Sequence, residues 1–521
     1  MTSHARRPAG IALLAAGALL LTAACGSTVQ PSGDALGGGG QAGAVQQGLA
    51  PAGPGGGAPG QPGVSTDGLV TSGGGTTGSV TGPGTTGGTT SGGTTGAGTT
   101  TGSTGSSGTG GSSAAVAMGP GVTATEIRLG IPYCNDCAAG NAAAGAAGED
   151  PGDTRRYYQA VLDDVNASGG VLGRKLVPVF HEVSVSDNIE ASQQAACETF
   201  TSDNKVLIMF FRGEIVYECA KKAGIIAWGS GGSGPLFEKY PNMFAPSTIR
   251  LERLAAVTVN AMVKAGWHKP DAKWPTGKVG LITWETSDYE YAVEKGWLPA
   301  MKKAGITPTD VRYIAVPQNA NALADASAAI SSAVLSFRQK GIDHVFIGDG
   351  AAGIFTGTGL TLLFLQNAKS QSYYPRYGFN SNNSPDFDSH PQDQLVGMLA
   401  IDSFDTEPAN DEGIALNPQR ERCFAIMKKK GLPVGQGQTQ AVAVGACEIA
   451  WFAEAVVERA RDTTLAGMIA SGESLGTSYR SPYNYGNRIG PGQHDGVALF
   501  RDLRYDESCS CLKYTSKPYE P

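Results

Sequence analysis

The chain has 521 residues, with 39 basic and 46 acidic side chains and a formal net charge of −7. That balance lacks the basic footprint of a nucleic-acid-binding protein, and the length allows two ordinary domains around sizeable cores. Its 75 glycines are very unevenly spread, so part of the chain is not globular material.

Arg6 and Arg7 precede the apolar stretch IALLAAGALLLTAAC, which ends in small residues at Cys25. At roughly 14 residues this stretch is too short to span a bilayer, and the layout is that of a bacterial export signal. A cysteine directly after Thr22-Ala23-Ala24 resembles the lipobox of bacterial lipoproteins, with the usual leucine displaced by one position to Leu21. The resemblance implies a signal peptide over residues 1–24, a diacylglyceryl thioether on Cys25 and anchoring on the outer face of the cell membrane. An ordinary cleaved secretion signal is the alternative. From 25 to 120 the chain is nearly all Gly, Thr, Ser, Ala and Pro, with Asp34 and Asp67 as the only charges and no aromatic residue. Such a segment buries too little apolar surface to offset its chain entropy. It reads as a disordered tether with an r.m.s. span of roughly 50–60 Å.

From residue 121 onward, strand-like and helix-like runs alternate. EIRLGIPY (126–133), KLVPVF (175–180), KVLIMFF (205–211), GIIAWG (224–229), KVGLITW (278–284), DVRYIAV (310–316), HVFIGDG (344–350), RYGFN (376–380), GMLAID (397–402) and GVALFRDL (496–503) read as strands. Between them, helical periodicity covers 153–167, 188–203, 247–266, 289–305 and 324–341. Glycine stops follow MVKA, MKKA, FRQK and MKKK, and Ser247 stands where an N-cap belongs ahead of Ile249. Alternation of this kind predicts an α/β fold with mainly parallel sheets and helices on both faces. So many strands call for two lobes. No second long apolar run stands out, so the body is not expected to span a membrane.

Nine cysteines are present. With Cys25 set aside, eight remain in an oxidising compartment, in sequence-near couples: Cys134 and Cys137, Cys197 and Cys219, Cys423 and Cys447, Cys509 and Cys511. Four local disulfides are the simplest arrangement. A redox CxxC would open a helix in a small redox fold, whereas CNDC leads into the loop AAGNAAAGAAG. A zinc site would need a second CxxC or paired histidines, so no metal is expected.

The stretch LDDVNASGGVLGRKLVPVFHE (162–182) resembles type I periplasmic binding proteins, closest to the branched-chain amino-acid-binding group of ABC transporters. The Asn-Ala end of a helix, the Gly-Gly turn and the Gly-Arg lead into the second strand carry the likeness. GVTATEIRLGIP (121–132) resembles that group's first strand, and the strand–helix order matches over about 121–510. Cys197 and Cys219 fall where the group often has a disulfide. The resemblance implies two similar lobes joined by crossing strands, closing on a small ligand. It places the first lobe at 121–249 plus about 401–487 and the second at 250–400 plus about 488–521.

Carried over residue by residue, the resemblance implies four cleft regions. Tyr133 leads into the CNDC loop, which the cysteines would brace. In WGSGGSGP, Trp228, Ser230, Gly232 and Ser233 match the first-lobe site, whose bare N–H groups and hydroxyls suit a carboxylate or hydroxyl. In TWETSDYEYA, Tyr289 matches the second-lobe aromatic residue, and Trp284 and Asp288 join it, with capping of the next helix the alternative role for Asp288. In YGFNSNNSPDF, Asn380 stands where amino-acid binders place an acid, and an amide is a weak ammonium partner. The Ser/Thr loop for the α-carboxylate is replaced by FFRGEIVYEC, where Arg212 pairs with an acid or lies on the surface. GDGAAG (348–353) has dinucleotide-site spacing, but no acid follows about 20 residues on, and it reads as a further cleft loop. Asp349 there is the candidate substitute for the missing ammonium acceptor. The expected ligand is therefore not an ordinary branched-chain amino acid.

No catalytic triad, metal motif or cofactor motif is present, so no enzyme is expected and no cofactor. The expected function is a lipid-anchored, monomeric solute receptor that delivers a small polar molecule to an ABC permease. A ligand sensor of the same fold, signalling to a membrane partner, is the alternative.

Overall fold

The computed structural model describes residues 119–139, 152–229, 231–350, 359–386, 389–404, 417–435 and 437–521. The signal, Cys25, the tether and Ser230 lie outside the described residues.

The first sheet starts with β1 (Glu126–Cys134) and β2 (Lys175–Val183), parallel along their whole length, with Glu126 opposite Lys175 and Cys134 opposite Val183. α1 (Arg155–Ala167) connects them. Its last turn shows why VNASGG is informative. The Asn166 amide donates to Leu176 O at 2.9 Å and accepts from Leu176 N at 2.8 Å, clamping the helix end to the next strand. Gly170 has φ +69°, and a Cβ there would stand 2.0 Å from Arg174 O. Only glycine turns the chain at that point. α2 (Ile189–Glu198), β3 (Ile208–Met209), α3 (Glu214–Ala223), β4 (Ile226–Trp228), α4 (Gly234–Lys239) and β5 (Met243–Phe244) follow. The sheet order is β2-β1-β3-β4-β5, all parallel.

The second sheet has seven strands. α5 (Leu251–Lys264), β6 (Val279–Glu285), α6 (Ser287–Ala292), α7 (Leu298–Lys303), β7 (Asp310–Ala315), α8 (Leu323–Gln339), β8 (His344–Gly348), α9 (Gly359–Ser370), β9 (Arg376–Asn380) and β10 (Leu399–Asp402) build its parallel part. The run read as one helix over 289–305 is split by a wide π turn at Val293–Trp297. Gly296 lies in that turn, where a Cβ would stand 2.4 Å from Glu252 O of α5, so its bare backbone lets the two helices touch. α10 (Pro418–Lys429), α11 (Gly437–Arg459) and α12 (Leu465–Glu473) then return to the first sheet and pack in its core. β11 (Arg501–Asp506) and β12 (Cys511–Tyr514) close the second sheet as antiparallel edge strands, giving the order β12-β11-β10-β9-β8-β6-β7. The GVALFRDL strand thus begins at Arg501 rather than at 496.

Four disulfides join the couples 134–137, 197–219, 423–447 and 509–511. α11 is apolar enough by composition to cross a membrane, but most of it is buried, and Cys447 ties it to α10. It is a core helix.

Among the described residues, the chain passes between the two sheets near 245–250 and over 484–500. Backbone groups there have no sheet ladder, so side-chain amides satisfy them. Asn484 donates to Ser247 O and Ser403 O, Asn487 to Pro246 O, and Asn417 to Ser481 O and Asn484 O. Ser247 does not cap α5. The helix starts at Leu251, whose N–H donates to Gly232 O at 3.0 Å, while Arg250 N donates to Asp495 at 3.1 Å. An acid from a distant crossing replaces the local cap.

Glu448 sits wholly buried on α11 facing the 479–483 segment, and neither of its oxygens has a well-formed hydrogen bond among the described residues. Burial pushes its carboxyl up to about 7, with the Ser481 and Tyr479 hydroxyls pulling weakly the other way. A carboxyl raised in the folded state contributes stability below its unfolded value near 4.5 that is lost as pH rises through 7. The melting temperature is expected to fall between pH 5 and 8, and Glu448→Gln to flatten that fall, an effect on the order of 3 kcal/mol. Melting curves of the two proteins across that range check this, and an unchanged slope would refute it.

Candidate ligand-binding cleft

In parallel sheets the loops at the carboxyl ends of the strands share one edge, and here two such edges belong to two lobes joined by the crossings. On the first sheet, period-two alternation brings an aromatic row to that edge. Ile127, Leu129 and Ile131 are in the core, and Tyr133 continues their face; Phe180, Phe210 and Trp228 do the same on β2, β3 and β4. Tyr133 meets Phe180 edge-on with centroids 6.1 Å apart, and Phe210 lies 6.5 Å from Trp228. Arg155 stacks 4.4 Å over the Tyr133 ring, and the Tyr133 hydroxyl donates to Glu182 at 2.9 Å. Tyr158, partly buried, packs on Phe180 from the first turn of α1. Phe180, Phe210 and Tyr158 were not singled out in the sequence, although counting every second residue along each strand would have found the first two.

The CNDC loop is braced as well as bridged. Asp136 accepts from Val185 N at 3.1 Å and from the Ser184 hydroxyl, and Val185 O in turn accepts from Ala320 N of the second lobe at 3.3 Å. A second interlobe contact forms at WGSGGSGP: both the N–H and the hydroxyl of Ser233 donate to Asp288. Asp288 therefore reaches across the cleft, and Thr286 caps α6 by accepting from Tyr289 N. Gly232 offers its carbonyl to Leu251 N, so this loop also sets the start of α5.

Tyr289 is 5% exposed, and its hydroxyl approaches Gly350. Burial, then Asp349 and Asp288, push its phenol up, and Arg212 of the first lobe opposes them. Burial lowers the Arg212 pKa from the usual arginine value, and the Tyr217 and Tyr289 phenols oppose that shift.

Trp284, Asp349 and Asn380 are turned into the second lobe. Asp349 is 2% exposed and accepts four hydrogen bonds: Trp284 Nε1 at 3.1 Å, Gly350 N at 2.8 Å, and Thr361 N and Oγ1 at 2.7 Å each. Burial still lifts it to about 6 against the pull of those donors. Asn380 donates to Thr258 at 3.1 Å and accepts from Asn382 N at 3.0 Å. These three build the scaffold under the second-lobe loops.

The family model described as periplasmic binding protein matches residues 142–499. The chain belongs to that family. Its members are solute-binding proteins rather than enzymes, and two mainly parallel sheets with flanking helices are their architecture. Solved structures agree on the fold. A fatty acid ABC transporter substrate-binding protein from Thermomonospora curvata is 18% identical, covers 78% of this chain and 95% of its own, and superposes with a TM-score of 0.55. A branched-chain amino acid ABC transporter protein from Thermus thermophilus with bound valine gives 15%, 76%, 97% and 0.55. A solute-binding protein from R. palustris in complex with 4-hydroxybenzoate gives 14%, 76%, 97% and 0.54. No curated protein matches the sequence.

Asp349→Asn would set an amide N–H₂ against donors on one side of the carboxyl. A loss of about 2–4 kcal/mol is expected, since buried donors would be left unpaired. Urea unfolding checks this; an unchanged midpoint would show that the four-donor arrangement is not formed in solution.

Proposed function

We propose that the protein is an extracytoplasmic solute-binding lipoprotein that captures a small polar molecule between its lobes and delivers it to an ABC importer. The observation that carries this reading is the cleft itself: two carboxyl-end edges face each other, and a polar loop of one lobe touches an acid of the other. Family membership supports it. The neighbours bind or are named for a fatty acid, valine and 4-hydroxybenzoate, so the architecture accommodates small molecules carrying a carboxyl group. On this reading Tyr133, Arg212, Trp228, Ser230, Gly232, Ser233 and Tyr289 contact or border the ligand. Trp284, Asp349 and Asn380 then act from behind them. Cys25 carries the lipid, residues 25–120 form the tether, and the body works as a monomer.

Native mass spectrometry of protein purified without refolding, followed by thermal-shift screening, tests the receptor reading. A co-purified small molecule, or stabilisation of several degrees by one compound class, is expected; neither across amino acids, organic acids, sugars and polyamines would overturn it. In a bacterial host, the mature protein should partition into detergent and Cys25→Ser should remain aqueous. Aqueous partitioning of both would refute the anchor.

A further inference from the structure

The disulfides differ in where they lie and in what they hold. Cys423 and Cys447 are fully buried between α10 and α11, and Cys219 is buried in the first lobe against a partly buried Cys197. Cys509, by contrast, is exposed and Cys511 half-buried. They sit at the end of the loop 507–510, which joins β11 to β12 at the outer edge of the second sheet.

That hairpin is fastened without its bridge. The ladder runs from Leu503 opposite Tyr514 to Asp506 opposite Cys511, and Leu503, Tyr505 and Leu512 are buried in the second lobe's core. At the loop itself Asp506 accepts from Ser508 N at 2.9 Å and from Ser508 Oγ at 2.6 Å, and the Lys513 ammonium donates to it at 2.8 Å. The bridge closes a sequence separation of only 2, against 22 and 24 for the two buried ones, so it removes far less loop-closure entropy from the unfolded chain. An exposed bridge on which neither core nor turn depends is suited to exchange, not to stapling.

The two sulfurs are not equivalent. Cys509 faces solvent and is the one open to attack. Cys511 stands opposite Asp506, whose charge is shared by Lys513 at 2.8 Å and Arg504 at 3.9 Å, so a thiolate leaving there meets a compensated carboxylate.

We propose that Cys509–Cys511 is a thiol-exchange site, reduced by an external dithiol while the hairpin and both lobes stay folded. One thiolate of the dithiol attacks Cys509 Sγ; the intermolecular S–S bond forms as the Cys509–Cys511 bond breaks, and Cys511 leaves as a thiolate that takes up a proton. The dithiol's second thiolate then attacks its own sulfur in the mixed disulfide and releases Cys509, which is protonated in turn. The bridge gains two electrons and two protons, and the dithiol becomes a disulfide. The site is independent of what the cleft binds.

The test equilibrates the oxidised mature chain with graded ratios of reduced to oxidised dithiothreitol, and in a second arm with reduced thioredoxin. Thiols are trapped with N-ethylmaleimide and mapped by peptide mass spectrometry. Cys509 and Cys511 are expected to be half-alkylated at a ratio at least about tenfold lower than Cys423 and Cys447. The double variant Cys509→Ser, Cys511→Ser should melt within about 3 °C of the parent. Exchange in either arm supports the site, and the arm that is faster at equal dithiol concentration tells a protein dithiol from a small one. Opening only together with the buried bridges, or a larger fall in melting temperature, overturns the assignment and leaves the solute-binding reading untouched.

Discussion

Asp495 is wholly buried where the chain passes between the lobes, and two arginines from the start of α5 share its carboxylate. Arg250 also gives it a backbone N–H, so one side chain both neutralises charge and caps a helix. Everything downstream depends on this joint. Ala245 N donates to His494 O and Gly496 N returns a bond to Ala245 O, pairing two crossings side by side; Asn487 adds a bond to Pro246 O, and Asn484 reaches both Ser247 O and Ser403 O just past β10. Removing one partner of a buried ion pair costs more than the pair contributes, so the joint holds its register or fails as a unit. Two sheets with separate cores can then move about a fixed axis without either core opening.

That joint determines how chemistry is divided across the cleft. Rings and the Ser233 donors come from the first lobe; of the second lobe's acids, Asp288 accepts from Ser233 across the lobes and Asp349 from its own lobe. Asp349 is the clearest case. Its four donors hold β8, α9 and the Trp284 ring in one arrangement, and the same donors leave its oxygens little capacity for a ligand. A carboxyl near a cleft is a binding group only when its lone pairs are open, and chain position does not reveal that.

The longer strands β1, β2, β6, β7 and β9 were legible because apolar runs of five or more residues rich in β-branched and aromatic side chains register in composition. So was the α1-to-β2 turn, where Asn166 and Gly170 have specific jobs. β5 has two residues and β12 only four, too short for a period to show, and α11 is apolar nearly all round, so it lacks the stripe that marks a surface helix. The site divided along similar lines. Tyr133 and Trp228 end strands, where direction and face follow from counting. The roles of Asp288 and Asp349 depend on Ser233 and Thr361, 55 and 12 residues away, and no local pattern encodes such pairs.

Among the described residues, the lobes also touch where Leu251 N donates to Gly232 O and Gly234 N to Glu252 at 3.3 Å. Ser233 with Asp288 is a part-buried pair, and Ala320 to Val185 is one backbone bond at 3.3 Å. Each such bond contributes roughly 1 kcal/mol net, since water satisfies the same groups when the lobes part. Closure resting on these alone would leave the open and closed forms within a few kcal/mol of each other. Under those conditions a ligand shifts the balance by its differential affinity for the closed form, and only groups that touch both lobes supply such a difference. Arg212 of the first lobe pulls against the rise of the Tyr289 phenol in the second, so the two groups are electrostatically linked from lobe to lobe.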